Sequence, residues 1–213
     1  MRIDTDEIKA ASEKKIISQG GQICDWLPYI EPTSLRDPYQ VTARALILNA
    51  MVNIHFGAPT RIISDWIAKH DLLDSLSAVE KRILETNESD LGEQDKINLY
   101  WYIEALWSFM WAMDLVSELD FTQPIPDNMA SMCPNLQENE GPEKFSEVEE
   151  LRAYDQIYKE RDLAYRVMWW ARQMSLTGES DPRFDLSRSM ERRRALEWIM
   201  DAALDWDDVP LDT

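Results

Sequence analysis

Histidine and cysteine are scarce in these 213 residues, two of each, and glycine occurs only six times. His55 and His70 stand alone: there is no His-x-x-x-His or Glu-x-x-His pair, so no metal site is expected. Cys24 and Cys133 are far apart and match no ligand spacing, and they read as reduced thiols of a cytoplasmic protein. So few glycines leave no Gly-x-Gly-x-x-Gly run and no P-loop, which argues against a nucleotide fold, and no cofactor is expected. No secretory leader is expected either, because the opening MRIDTDE is too charged to start one. Basic residues are outnumbered, 22 against 40 acidic ones, for a formal net charge of −18. Such a surface repels phosphate backbones and anionic lipid, so no nucleic acid and no membrane partner is expected.

What is present is helix. Apolar residues recur at three- and four-residue steps and no stretch alternates as a strand does. The pattern predicts helices over about Thr5–Gln19, Pro38–His55, the segment RIISDWIAKH, the segment AVEKRILE, Glu93–Glu118, Ser146–Ser175 and Leu186–Ala203. Ser77-Ala78-Val79-Glu80 has capping-box spacing ahead of the fourth of these. Gly20-Gly21 and Gly57-Ala58-Pro59 are stop signals. The run NLYWYIEALWSFMWAMDLV, Asn98 to Val116, is apolar enough to test as a membrane span. Glu104 and Asp114 within it and the absence of basic flanks make it a buried helix of a core instead. The expected fold class is all-α: an irregular single-domain helical bundle with an extended C-terminal strap. Within that one compact unit, residues 1–36 form an N-terminal helix and lead-in. Residues 37–213 form the main helical part, with a proline-rich surface connection around 120–146.

Several charged residues sit on apolar faces. Arg44 lies beside Leu48 and Met51 on a helix that is apolar nearly all round, so its guanidinium must reach solvent or meet a carboxylate. Glu104 shares a face with Trp101, Ser108 and Trp111, and Arg192 shares one with Leu196, Ile199 and Ala203. Asp162 and Arg166 are four apart beside a stripe of Leu151, Tyr154, Tyr158, Tyr165 and Trp169. Arg193 and Arg194 point elsewhere and are expected to pair at the surface with Glu197 or Asp201. Arg44, Glu104, Asp162, Arg166 and Arg192 are therefore candidates for one buried polar cluster. It either fixes helix register or forms a pocket whose arginines hold an anion. No catalytic residue is assigned.

The chain ends LDWDDVPLDT. Pro210 disfavours helix at Val209, so the last helix must stop and the chain run extended. Trp206, Val209 and Leu211 would be an aggregation hazard if free, which predicts a strap docked on the bundle, its aspartates solvated or meeting arginines. Neither Asp205-Trp-Asp-Asp nor Glu138–Glu150 has the glycine-shaped spacing of a calcium loop.

Taken together, ERRRALEWI (Glu191 to Ile199) followed by WDDVPLDT resembles the end of the bacterial domain-of-unknown-function family 4272. The resemblance continues in RALILNAMVNIHFGAP, LSAVEKRIL, EALWSFMWAMDLV and DLAYRVMWWA, in the family's order, from about Tyr39 to Thr213. Two positions depart from the family pattern: Tyr102 stands where a basic residue is usual, and Met168 where a histidine is. The second makes a histidine-dependent mechanism inapplicable to this chain. The resemblance implies no activity. The charge of −18 and the lack of catalytic motifs lead to the expectation of a non-enzymatic interaction protein that neutralises a basic protein partner. The alternative is a small-molecule-binding protein or enzyme with an Arg/Glu pocket between helices. Oligomeric state is not legible.

Overall fold

Asp4, Asp37, Ser77 and Asp185 each stand just ahead of a predicted helix. In the computed structural model, each side-chain oxygen accepts a backbone N–H of the first turn, from Glu7, Tyr39, Glu80 and Arg188 at 2.8–3.2 Å. The structure describes residues 3–212. Met1, Arg2 and Thr213, which fall within the charged opening, the lead-in segment and the tail as drawn above, lie outside the described residues. Among the described residues the helices are α1 (Thr5–Ser18), α2 (Pro38–His55), α3 (Thr60–Lys69), α4 (Ala78–Leu84), α5 (Glu93–Ala112), α6 (Met129–Met132), α7 (Glu143–Ser146), α8 (Tyr154–Thr177) and α9 (Leu186–Met200). Short 3-10 turns lie between them, no strand is present, and the fold class is all-α. Among the same residues no helix is long and apolar enough to cross a membrane.

Three helix boundaries differ from the pattern. The tryptophan-rich α5 stops at Ala112 rather than Glu118, because Asp114 turns left-handed (φ 59°) just beyond the cap Met113. Arg152 then clamps that end, donating to the carbonyls of Trp111 (2.6 Å) and Val116 (2.7 Å). The long helix α8 begins at Tyr154, not Ser146; the intervening residues include the separate turn α7, and Leu151 lies off the helix whose stripe it was assigned to. At the other end, α9 stops at Met200, where Asp201 is extended. Where the predicted stop is a glycine in the left-handed region the pattern located it well: Gly20 (φ 82°) follows α1 and Gly57 (φ 95°) follows α2, while Gly178 (φ 74°) caps α8 without having been singled out.

Packing follows from the faces. Residues Val41 to Val52 of α2 are buried without a break, so α2 is central. It lies along α5; α5 packs on its other side against α9, α9 against α8, and α8 against α1. The shorter α3 and α7 lean on α2, and α4 leans on α3. A single large core links α2, α5, α9 and the start of α8, while a smaller one around Val167, Trp170 and Phe184 lies below α1.

The irregular segments are held by arginines. Arg161 donates to Thr33 Oγ1 at 3.0 Å, Arg166 reaches the Pro28 carbonyl at 3.4 Å, and Arg192 reaches those of Asp120 (2.7 Å) and Gln123 (3.1 Å). A guanidinium has five donors in a fixed fork, enough to serve a carboxylate and a stray carbonyl together. The proline-rich connection and the lead-in are pinned to the helices in this way.

Candidate functional site

At the C-terminus the chain makes a 3-10 turn over Trp206–Asp208 before running extended. Trp206 is 3% exposed and meets the rings of Tyr102, Phe109 and Trp198 at centroid distances of 5.9–6.2 Å. Val209 is buried and Leu211 is partly buried against the same core. The arginines that meet the last residues bind carbonyls rather than carboxylates: Arg172 donates to Leu211 O and Arg193 to Asp212 O, each at 2.8 Å. That leaves the tail's aspartate side chains facing outward, apart from Asp207, which accepts the Val79 N–H at 3.0 Å at the start of α4.

Where the tail turns, it closes one side of a cleft of about 440 Å³. Arg36, Gln40 and Arg44 form one wall, residues 74–78 a second, and Trp198 with residues 204–208 the third. Its size suits a small molecule or a single long side chain. Arg36 lies 3.7 Å over the Trp198 ring; its Nε donates to Trp198 O at 2.7 Å and its Nη2 to Leu204 O. Burial and the nearby Arg44 charge both push the Arg36 pKa down, opposed by Asp201 and Asp205. Arg44 sits between the Trp198 and Trp206 rings, at 5.6 and 5.2 Å. Its Nη1 lies 2.7 Å from both oxygens of Glu80, and its Nη2 donates to Ser75 O at 2.6 Å. Arg44 Nε is buried and finds no partner. On the rim stand Asp74, Asp205, Asp207 and Asp208, all exposed.

The five charged residues singled out from sequence fall into three separate ion pairs. Arg192 Nε meets Glu104 Oε2 at 2.8 Å, with Arg188 3.4 Å from the other oxygen. Arg166 and Asp162 pair at 2.8 and 2.9 Å, with Glu13 of α1 3.6 Å away. Arg44 belongs with Glu80. Of these, only Arg44 borders the cleft. Arg192 spends its donors on Glu104 and on two backbone carbonyls, whereas Arg166 Nη1 is buried without a hydrogen-bond partner, 3.6 Å from Glu13.

Sequence reasoning missed Glu80, Arg161 and Glu197. Glu80, fully buried, was legible only as half of the capping box, which it does complete: its Oε2 accepts Ser77 N–H at 2.8 Å. Glu197 was expected at the surface. It is buried instead, taking Arg161 Nε at 2.6 Å and Arg193 Nε at 3.2 Å, because α8 packs over that side of α9. The arginine triplet offered a signal: three successive cations on an otherwise buried helix cannot all reach water. Cys133 is buried, which pushes its thiol up to about 12, and Cys24 is buried as well. Cys133 therefore lacks the character of a reactive thiolate. Among the described residues no cluster of three metal-ligating side chains occurs.

The family model of a domain of unknown function (DUF4272) matches residues 8–209. No curated protein matches the chain, and no solved structure does.

Proposed function

The chain belongs to the DUF4272 family, and since that membership carries no activity, we propose from its own geometry that it is a non-enzymatic binding protein. In this reading it captures a basic protein, one of whose lysine or arginine side chains enters the cleft beside the tail. The observation that carries the proposal is the rim. Asp74, Asp205 and Asp208 ring an opening of about 440 Å³ and are exposed, while the cations beneath them are already committed. Arg44 is neutralised by Glu80, and Arg36 spends Nε and Nη2 on carbonyls. The indole faces are occupied by Arg36 and Arg44 from within, so the exposed groups at the mouth that a ligand meets first are the aspartates. Buried charges nearly cancel among the described residues, six arginines against five carboxylates, so nearly all of the −18 faces outward and steers a basic partner in. Two buried, unpaired thiols suit the reducing cytoplasm.

Calorimetric titration with a short oligolysine peptide at low salt tests this. Asp74→Asn, Asp205→Asn and Asp208→Asn together should weaken binding by about tenfold or more. The same charge removed elsewhere, at Glu147, Glu149 and Glu150, should do much less. Equal losses from the two triple variants would reduce the effect to bulk charge and sink the proposal.

One observation favours a second reading, a small-molecule site in the same cleft. Arg44 Nε is a buried donor without an acceptor, which a ligand oxygen would satisfy. Acetate and phosphate titrations decide for it if either binds while oligolysine does not.

A further inference from the structure

On the far side of the bundle, α1 and α8 do not close completely. A groove of about 330 Å³ runs between them, walled by Ile3, Ile8, Ala11 and Leu163. Glu160 projects into it from α8. Its carboxylate, only partly exposed to solvent, meets no hydrogen-bonding or ion-pairing group among the described residues, and its partial burial is the chief influence on it, pushing it up to about 7. The cations nearby are committed elsewhere. Arg192, on α9, spends Nε on Glu104 and both Nη groups on carbonyls. Lys159 pairs with Asp155 at 3.0 Å, and the Lys15 ammonium of α1 stands 5.6 Å over the Phe121 ring. Behind Glu160, toward Arg188 and Arg192, the space shrinks to about 10 Å³, room for no more than a water. A ligand therefore has only the α1 side to enter from.

The chemistry of an occupant follows from the walls and the floor. Apolar walls select hydrocarbon. A carboxylate left unpaired among them rejects an anion and takes at most a hydrogen bond from a neutral molecule, whereas a cation adds its charge to that bond. The rim adds to that preference, since Asp4 and Glu7 of α1 and Asp155 of α8 outnumber Lys15 and Lys159, although the Lys15 and Arg192 charges reach Glu160 and favour its ionised form more than Asp120 opposes it. We propose that the groove between α1 and α8 binds a small apolar amine, its ammonium paired with the Glu160 carboxylate and its hydrocarbon laid on Ile3, Ile8, Ala11 and Leu163. This site shares no residue with the cleft beside the tail, so it stands or falls independently of the function proposed there.

Pairing requires an ionised Glu160, so amine affinity rises with pH up to about 7 and then levels off. Methyl NMR titration of the full chain with hexylamine and, separately, 1-hexanol tests the site. At about pH 8 hexylamine should shift the Ile8, Ala11 and Leu163 methyls and bind roughly tenfold tighter than hexanol. Glu160→Gln should bring the two probes level without changing hexanol, and Ala11→Trp, which fills the groove, should abolish both. The proposal is overturned if hexylamine does not bind, if it binds no better than hexanol, or if its affinity survives Glu160→Gln.

Discussion

Arg44 and Glu80, 36 residues apart, meet with one arginine nitrogen 2.7 Å from both carboxylate oxygens. One of those oxygens also accepts the Ser77 N–H, so Glu80 caps α4 and neutralises a charge buried on α2 at the same time. The two roles separate by mutation. Ser77→Ala removes a cap bond alone and should cost about 1 kcal/mol. Glu80→Gln leaves Arg44 buried and unpaired, at about 3–5 kcal/mol. Urea denaturation measures both, and equal losses would mean that the ion pair contributes nothing beyond the cap.

Glu104→Gln should be as costly, about 3–5 kcal/mol, because it orphans Arg192 and Arg188 together. Arg192 ties α9 to α5 through Glu104 and holds the carbonyls of Asp120 and Gln123 with its remaining donors. Its partial release should also loosen the connection that follows α5. Limited proteolysis of Glu104→Gln should therefore cut near residues 119–123 faster than the wild type, while oligolysine binding, on the opposite side of α9, stays unchanged.

How far such contacts were legible in the sequence depends on whether the cause was local. Caps and glycine stops are local, and Ser77, Gly20 and Gly57 act where the pattern put them. Asp114 in the left-handed region is not a residue whose letter announces a stop, so α5 read six residues too long. Burial of Arg44 and Glu104 followed from helical periodicity, and so did Arg192 as a neighbour of Glu104, but Glu80 and Arg188 did not. Glu80 lies on a short helix of seven residues whose inner face no pattern defines, and Arg188 precedes Arg192 by one turn on a helix with little amphipathic contrast. The cleft was illegible for a plainer reason. It exists only where the tail, α2 and the 74–78 segment converge, and no one of them carries a mark of it.

Stability should fall as pH rises from about 4.5 to about 7. Glu191 is buried, only Arg194 at 3.2 Å answers its charge, and burial pushes its carboxyl up from 4.5 to about 7. A carboxyl whose pKa is higher folded than unfolded holds its proton more firmly in the folded chain. Its stabilising effect is complete below the unfolded value and is lost through the folded one, a span worth on the order of 3 kcal/mol here. Asp95 and Asp181, whose pKa values are lowered by hydrogen bonds from Arg82 and Arg183, act in the opposite sense but only toward pH 3.8 and below. Glu160, raised to the same value, acts in the same sense, so Glu191→Gln should lessen the fall in urea midpoint between pH 5 and pH 7, and Glu191→Gln with Glu160→Gln should flatten it, both leaving the acid limb intact. A fall undiminished in Glu191→Gln would assign the linkage to other groups.

Removing the tail's anchor should damage the fold and the cleft together. Trp206 fills the space between Tyr102, Phe109 and Trp198 and lies 5.2 Å from the Arg44 guanidinium. Trp206→Ala opens a cavity in a core that α2, α5 and α9 hold rigid, which should cost about 3–5 kcal/mol. Because Asp205, Asp207 and Asp208 are positioned by that one buried side chain, oligolysine affinity should fall as well, even under conditions where the variant is fully folded. Trp206→Phe keeps most of the apolar volume and should restore both stability and binding in large part. If Trp206→Ala lowered stability but left binding intact, the rim aspartates would not need the docked turn, and the partner would have to be engaging acids elsewhere on the surface.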